Sequence, residues 1–251
     1  MTRSPDQIQE PGGPVPVAAT ADLVVVGGGP AGIAAAVAGA RNGLSVTLLE
    51  RYPYLGGLAS GGMVLVLDDM CNGNEISVRG LCAELIDRME RLGLAVTPPE
   101  ADRRADPAMW RKWSRWGLFD FTAQTKPQPI NYSTAFDPDG FKRVSNHLIA
   151  EAKVNLRLHS WFSRAIVEDG RIRGVICDSK EGRHAVLGQV VVDATDGIST
   201  HHGKGRTRER PCGKDQGFSR REGIWLFTHA FIDQRGGKGR SPDVFLQKLL
   251  G

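Results

Sequence analysis

The hexapeptide Gly27-Gly28-Gly29-Pro30-Ala31-Gly32 has the G-x-G-x-x-G spacing, with an apolar run, Leu23 to Val26, before it and a run of small helix formers after it. Each of the three spaced glycines has its own reason to lack a side chain. Gly27 permits a tight turn, Gly29 lets a pyrophosphate approach the backbone, and Gly32 lets the helix lie close to the strand. The anion is then held by unpaired N–H groups at the helix N-terminus, which Pro30 and Ala31 open and where the helix dipole is positive. Glu50 follows Gly32 by 18 positions and ends the next apolar run, where its carboxylate can accept both hydroxyls of a ribose. The same charge repels a 2′-phosphate, which disfavours NADP and leaves NAD and FAD open. The competing reading is a glycine-rich turn that binds nothing, and an acid at Glu50 argues against it.

Other residues able to do chemistry form weaker patterns. Trp110, Trp113 and Trp116 recur every three positions with Arg111, Lys112 and Arg115 among them. Such a stripe is expected to be core or interface, with ligand stacking or membrane-surface contact as alternatives. His201-His202 has no acidic or cysteine partner at metal-ligand spacing, and His229 is distant, so no metal site is expected. The four cysteines, at 71, 82, 177 and 212, include no C-x-x-C pair. They read as reduced thiols of a cytoplasmic protein, with a Cys71–Cys82 redox pair left open and Cys177 assigned to packing. No nucleophile and base can be assembled from local spacing, so no catalytic residue is named.

The elements needed to position the nucleotide motif are legible around it. Leu23 to Val26 reads as a buried strand, Ala31 to Arg41 as a helix stopped by Asn42-Gly43, and Ser45 to Leu49 as a second buried strand. Together they form a βαβ unit. Further helices are expected at Val78 to Leu92, around Pro107 to Trp116, and at Phe141 to Ala152 after a turn at Asp137-Pro138-Asp139-Gly140. A strand at Val154 to Leu158 precedes three strand-like runs, Ser163 to Val167, Ile172 to Cys177 and His184 to Leu187. Asp169-Gly170 and Glu181-Gly182 separate these as hairpin signals, giving a small antiparallel meander. Gln189 to Asp193 returns to the apolar pattern of a central parallel strand.

The resulting fold class is α/β: a three-layer dinucleotide-binding domain with a central parallel sheet, helices on one side and the meander on the other. Residues 1–20 read as a flexible leader, 21–70 and 136–197 as one discontinuous domain, 71–135 as an inserted helical and irregular segment, and 198–251 as a basic, glycine-rich tail. Composition agrees with a globular body, with 41% hydrophobic and 24% charged residues, too apolar for a wholly disordered chain. The net charge of +4 is uneven. Residues 201–251 hold 11 Lys/Arg against 5 Asp/Glu, leaving 21 against 23 in the rest, so the body is not basic and nucleic acid is not an expected partner. No apolar stretch is long enough for a membrane span.

The stretch VVVGGGPAGIAAAVAGARNGLSVTLLERYPYLGGLASGG resembles the N-terminus of FAD-dependent oxidoreductases with a glutathione-reductase-like flavin domain, in which the second strand runs into E-R-x-x-x-L-G-G. The resemblance resumes at Phe136 and runs to Gly197, through the Asp193-Ala194-Thr195 segment. It implies FAD as cofactor, with Gly27, Gly29, Gly32 and Glu50 at the pyrophosphate and ribose and Arg51, Gly56 and Gly57 along the dinucleotide. Val167 in the meander and Thr195 near the end of the last strand are the further positions it places at the cofactor. It implies hydride transfer between flavin and a small-molecule substrate, with an electron acceptor and room for an oligomer or partner subunit. The sequence departs from the family at Asp196, where glycine is usual, and the family's late flavin-walling segment is not recognisable after Gly197. A fragment or truncated product is therefore one expectation, binding flavin better than it catalyses. An NAD-binding dehydrogenase and a non-catalytic dinucleotide-binding remnant are the alternatives.

Overall fold

The computed structural model describes residues 12–62, 64–67, 70–72, 75–76, 78–103, 106–118, 132–195 and 224–226. Its N-terminal unit is strand β1 (Val17–Val26), helix α1 (Pro30–Arg41) and strand β2 (Val46–Leu49). Short strands follow, β3 (Val66–Leu67), β4 (Cys71–Asn72) and β5 (Glu75–Ile76), then α2 (Leu81–Arg91), β6 (Ala95–Val96), α3 (Pro107–Ser114) and β7 (Thr134–Phe136). The chain continues through α4 (Pro138–Glu151), β8 (Asn155–Arg157), β9 (Trp161–Glu168), β10 (Arg171–Ser179), β11 (Gly182–Asp193) and β12 (Ile224–Leu226).

The main sheet runs β8-β2-β1-β11-β10-β9, with β12 also paired to β11. Strands β8, β2, β1, β11 and β12 are parallel, and β9 and β10 are antiparallel. Alternation along β1 divides the core between its two faces. Leu23 and Val25 pack with Ile33 and Val37 of α1, Leu85 and Met89 of α2 and Leu148 of α4. Val24 and Val26 pack with Ile172, Val175 and Cys177 of β10 and Val186 of β11. Helices therefore cover one face and the meander the other.

Three boundaries differ from the sequence reading for identifiable reasons. Residues 17–20, expected in the leader, extend β1 because β11 offers partners: Val17 pairs with Ala185 and Thr20 with Leu187. The third meander strand and the last parallel strand are one continuous β11, which passes through Gly188. A Cβ on Gly188 would lie 2.7 Å from Val24 Cγ2, so this glycine serves close packing and not a stop. Helix α4 starts at Pro138 because Asp137 caps it, accepting from Asp139 N at 2.8 Å and Gly140 N at 3.4 Å. The expected D-P-D-G turn is thus a cap and first helical turn.

The segment between β2 and α4 is not only helical and irregular. Its β3, β7 and β6 form an antiparallel sheet, and Cys82, Leu85, Ile86 and Met89 of α2 join the helix-side core. An ion-pair group ties α2 to its neighbours: Arg41 of α1 donates to both Glu84 oxygens at 2.7 and 2.8 Å, and Arg88 donates to Glu84 and to Glu151 of α4, each at 2.8 Å. The arginine hydrogen bonds hold the Glu84 carboxyl down at about 2. The tryptophan stripe does not act as one face. Trp113 is buried beside Leu118 and donates to Asp102 at 2.9 Å, Trp110 is half-buried, and Trp116 lies exposed beyond the end of α3.

Candidate functional site

The carboxyl ends of three neighbouring parallel strands meet at the glycine motif. Gly27 N donates to Leu49 O at 2.8 Å and Ala194 N donates to Val26 O at 2.8 Å. Gly27 adopts φ +101°, and a Cβ there would lie 2.8 Å from Ala194 O. A Cβ on Gly32 would overlap Gly27 O. Both glycines are therefore required by the protein itself, one by conformation and crowding and the other by crowding alone.

Gly29 is different. It caps α1 with φ −71° and ψ −179°, a conformation open to any residue, and the nearest atom to a Cβ there is Gly57 Cα at 4.0 Å. No side chain caps this helix end, and its first turn contains no acid. The space over Gly29 thus lies against a positive helix terminus with donors facing outward.

Glu50 is buried, at 5% exposure. Its Oε2 accepts from Gly28 N at 2.6 Å and its Oε1 from Tyr52 N at 2.8 Å. These bonds compensate the buried charge and fix the carboxylate beneath the glycine loop. A carboxylate offers about four acceptor sites, so acceptor capacity remains for a ribose. The following loop returns to the motif: Gly56 N donates to Gly28 O at 2.8 Å, and a Cβ on Gly57 would lie 3.1 Å from Gly29 Cα. Gly56 and Gly57 have φ +112° and +52°.

The structure brings Gly27, Gly29, Pro30, Ala31, Gly32, Glu50, Gly56 and Gly57 together, with Thr195 beside them through Ala194. Thr195 donates from both N and Oγ1 to Asp193 Oδ1, at 3.0 and 2.7 Å. Arg51 is adjacent in sequence, but its guanidinium lies over the rings of Tyr52 and Trp161. Val167 is not brought to this group. It lies by the β9–β10 turn, paired with Ile172, about 20 Å along β9 from Trp161 at 3.3 Å per residue, whereas Ser160 N donates to Glu50 O at 2.9 Å. Sequence reasoning missed Gly28, whose N–H orients Glu50 and whose Cβ would lie 2.6 Å from Leu55 Cδ2. The signal available was the middle glycine of an unbroken run of three, at a position the G-x-G-x-x-G spacing leaves open. Asp196, Gly197, Cys212 and the histidines at 201, 202 and 229 lie outside the described residues, as do the side chains of Cys71 and β12.

Residues 22–198 match the family described as FAD dependent oxidoreductase. The chain belongs to that family. FAD is accordingly its cofactor, and the residues present fit the dinucleotide: an uncapped helix end, a glycine with open space above it and a buried carboxylate with acceptor capacity converge at one place. Two digeranylgeranylglycerophospholipid reductases of Methanopyrus kandleri are similar to this FAD-dependent oxidoreductase chain. Reductase 1 is 28% identical over 187 residues, covering 73% of this chain and 41% of the relative. Reductase 2 is 27% identical over 192 residues, covering 73% and 39%. The chain thus spans about two fifths of the length of these curated relatives. Among solved structures, Thermovibrio ammonificans THI4 aligns with a TM-score of 0.45 at 18% identity, over 72% of this chain and 60% of that one.

Proposed function

We propose that this chain forms the flavin-binding part of an oxidoreductase that moves hydride between FAD and a small organic substrate, with a separate electron acceptor closing the cycle. The observation that carries this reading is the open space over Gly29, at an uncapped helix N-terminus and next in the chain to Gly28, which Glu50 holds. Bound FAD supplies the redox chemistry. The protein's residues bind and orient it. The α1 terminus, from Gly29 through Pro30, Ala31 and Gly32, holds the pyrophosphate; Glu50 accepts the ribose hydroxyls; Gly56 and Gly57 keep the second wall free of side chains. Thr195 flanks this group just past β11, and Arg51 follows Glu50 past the end of β2 with its guanidinium turned to Tyr52 and Trp161.

The family match supports FAD over NAD. The relatives' names make unsaturated isoprenoid lipids a substrate class for the test panel, beside soluble alcohols, amines and acids. We also propose a cytoplasmic location, on the reading of the cysteines as reduced thiols. Among the described residues no helix is long and apolar enough to cross a membrane. The flavin-ring pocket would be completed by chain outside the described residues or by a partner subunit, and 21–70 with 136–197 would form the binding domain.

The test is an absorption spectrum of the purified protein followed by anaerobic reduction with the panel. Stoichiometric bound flavin that one substrate class reduces in a saturable way is the expected result. Flavin that binds and is reduced by none would favour the non-catalytic reading, and binding of NAD in place of flavin would overturn the assignment.

A further inference from the structure

A ladder of cations and rings runs along the outside of the segment between Glu50 and Gly56. Lys142 Nζ, on α4, lies 4.7 Å from the centre of the Tyr54 ring. Tyr54 stacks on Tyr52 with centroids 5.5 Å apart and planes 5° from parallel. The Arg51 guanidinium lies 4.7 Å from the Tyr52 centroid and 5.7 Å from that of Trp161, at the start of β9. Trp161 is 53% exposed and Tyr52 38%, so burial does not account for either ring. The ladder joins α4, the loop after β2 and the meander. Backbone bonds run parallel to it, from Ser160 N to Glu50 O at 2.9 Å and from His159 N to Tyr52 O at 3.3 Å.

The braced segment is the one whose two ends build the dinucleotide cradle. Glu50 at its start holds Gly28 N, and Gly56 at its end donates to Gly28 O while Gly57 faces Gly29. Between them, Leu55 is fully buried, whereas Arg51, Tyr52 and Pro53 are exposed. The segment's inner side is tied by Tyr52 N to Glu50 Oε1 and by Gly56 N to Gly28 O, and the ladder adds restraint on its exposed outer side, so that both ends are held in register. We propose that Trp161, Arg51, Tyr52, Tyr54 and Lys142 form an external brace that sets the affinity of the cradle for the pyrophosphate and ribose of FAD. Trp161 and Lys142 are positioning residues: they act through the 51–57 segment. Preorganisation of this kind raises affinity by removing the ordering cost from the binding step.

This inference rests on the dinucleotide reading above, and ADP separates the two because it carries the pyrophosphate and ribose without flavin. Affinities for ADP and FAD are measured by calorimetry on the full chain as wild type, Trp161→Ala, Trp161→Phe, Lys142→Met and Lys142→Arg, with melting temperatures and hydrogen exchange of residues 51–57. An exposed cation–π contact corresponds to about a two- to fivefold change in an equilibrium constant. Trp161→Ala and Lys142→Met are each expected to weaken ADP and FAD by that same factor, with faster exchange in 51–57 and little change in melting temperature. Trp161→Phe and Lys142→Arg keep a ring or a cation and should restore most of the affinity. Unchanged affinities in Trp161→Ala would overturn the brace while leaving the site intact. So would weakening that appears only together with general loss of stability, or that the conservative variants fail to restore. Failure of wild-type protein to bind either ligand would instead remove the dinucleotide site, and the brace with it.

Discussion

Replacing Gly29 with alanine separates what the fold needs from what the ligand needs. At φ −71° and ψ −179° alanine fits without backbone strain, and its methyl group meets only Gly57 Cα, at 4.0 Å. Removing a glycine where the native conformation suits alanine stabilises a protein by about 0.4–1 kcal/mol through the unfolded chain. The apo protein is therefore expected to melt at the same temperature or slightly above. The methyl group would occupy the space through which the pyrophosphate reaches the α1 N–H groups. Loss of one charged hydrogen bond costs about 1.5–3 kcal/mol, which corresponds to about a tenfold to hundredfold weaker FAD affinity. Gly32→Ala is the contrasting variant, since its Cβ overlaps Gly27 O and should lower the melting temperature before any ligand is added. The assay pairs thermal unfolding of apo protein with equilibrium FAD binding. A folded Gly29→Ala protein whose FAD affinity stays within twofold of wild type would refute the pyrophosphate assignment. A large drop in its melting temperature would refute the argument that the fold leaves this position free.

Three further outcomes follow from the same geometry. Glu50→Gln turns an amide NH2 toward either Gly28 N or Tyr52 N, both of which now donate to the carboxylate; a buried donor left unpaired costs about 1–3 kcal/mol, so chemical denaturation should show lost stability along with weaker FAD binding, and a variant as stable as wild type would contradict this hydrogen-bond scheme. The Glu84 carboxyl is lowered from 4.5 to about 2 by Arg41 and Arg88, so its contribution is present above pH 4.5 and lost as pH falls toward 2; the melting-temperature gap between wild type and Glu84→Gln should close over that interval, and a gap constant across it would exclude this ion-pair group as the cause. Burial raises the Cys82 thiol to about 12 and also raises that of Cys177, so peptide mapping after alkylation of native protein at neutral pH should find both unlabelled until denaturant is added, and rapid native labelling would show that their burial is wrong.

The nucleotide unit was legible because its constraints are local. A strand entering a glycine turn and a helix leaving it are properties of about ten consecutive residues, and Glu50 follows from the length of one helix and one strand. Features set by distant pairing were not legible. Val17 to Thr20 follow Pro14 and Pro16 and hold only small side chains after Val17, and they become strand because Ala185 to Leu187 lie beside them. Gly188 interrupts two apolar runs as a stop would, yet its lack of a side chain answers to Val24, which is remote in sequence. Asp137-Pro138-Asp139-Gly140 has the composition of both a turn and a helix cap, and the buried face of Phe141, Val144 and Leu148 downstream decides for the cap. Trp161 fell just ahead of the expected strand, so nothing in its neighbourhood pointed to Arg51.

The convergence of the site follows from the sheet itself. Strands β2, β1 and β11 are adjacent and parallel, and their last paired residues are Leu49, Val26 and Asp193. Each strand must leave the sheet at the same edge, so Glu50, Gly27 and Ala194 are neighbours whatever their separation in sequence. Chain order reverses there, since α1 carries the chain from β1 to β2 on one side while β11 enters on the other, the kind of crevice in which open α/β sheets bind ligands. The helix that opens from this crevice begins with residues too small to cap it. Its positive end, the buried carboxylate that follows β2 and the glycine loop that returns from it thus meet at one sheet edge, and Gly29, where a Cβ would meet nothing nearer than Gly57 Cα at 4.0 Å, is the motif glycine with room beside it.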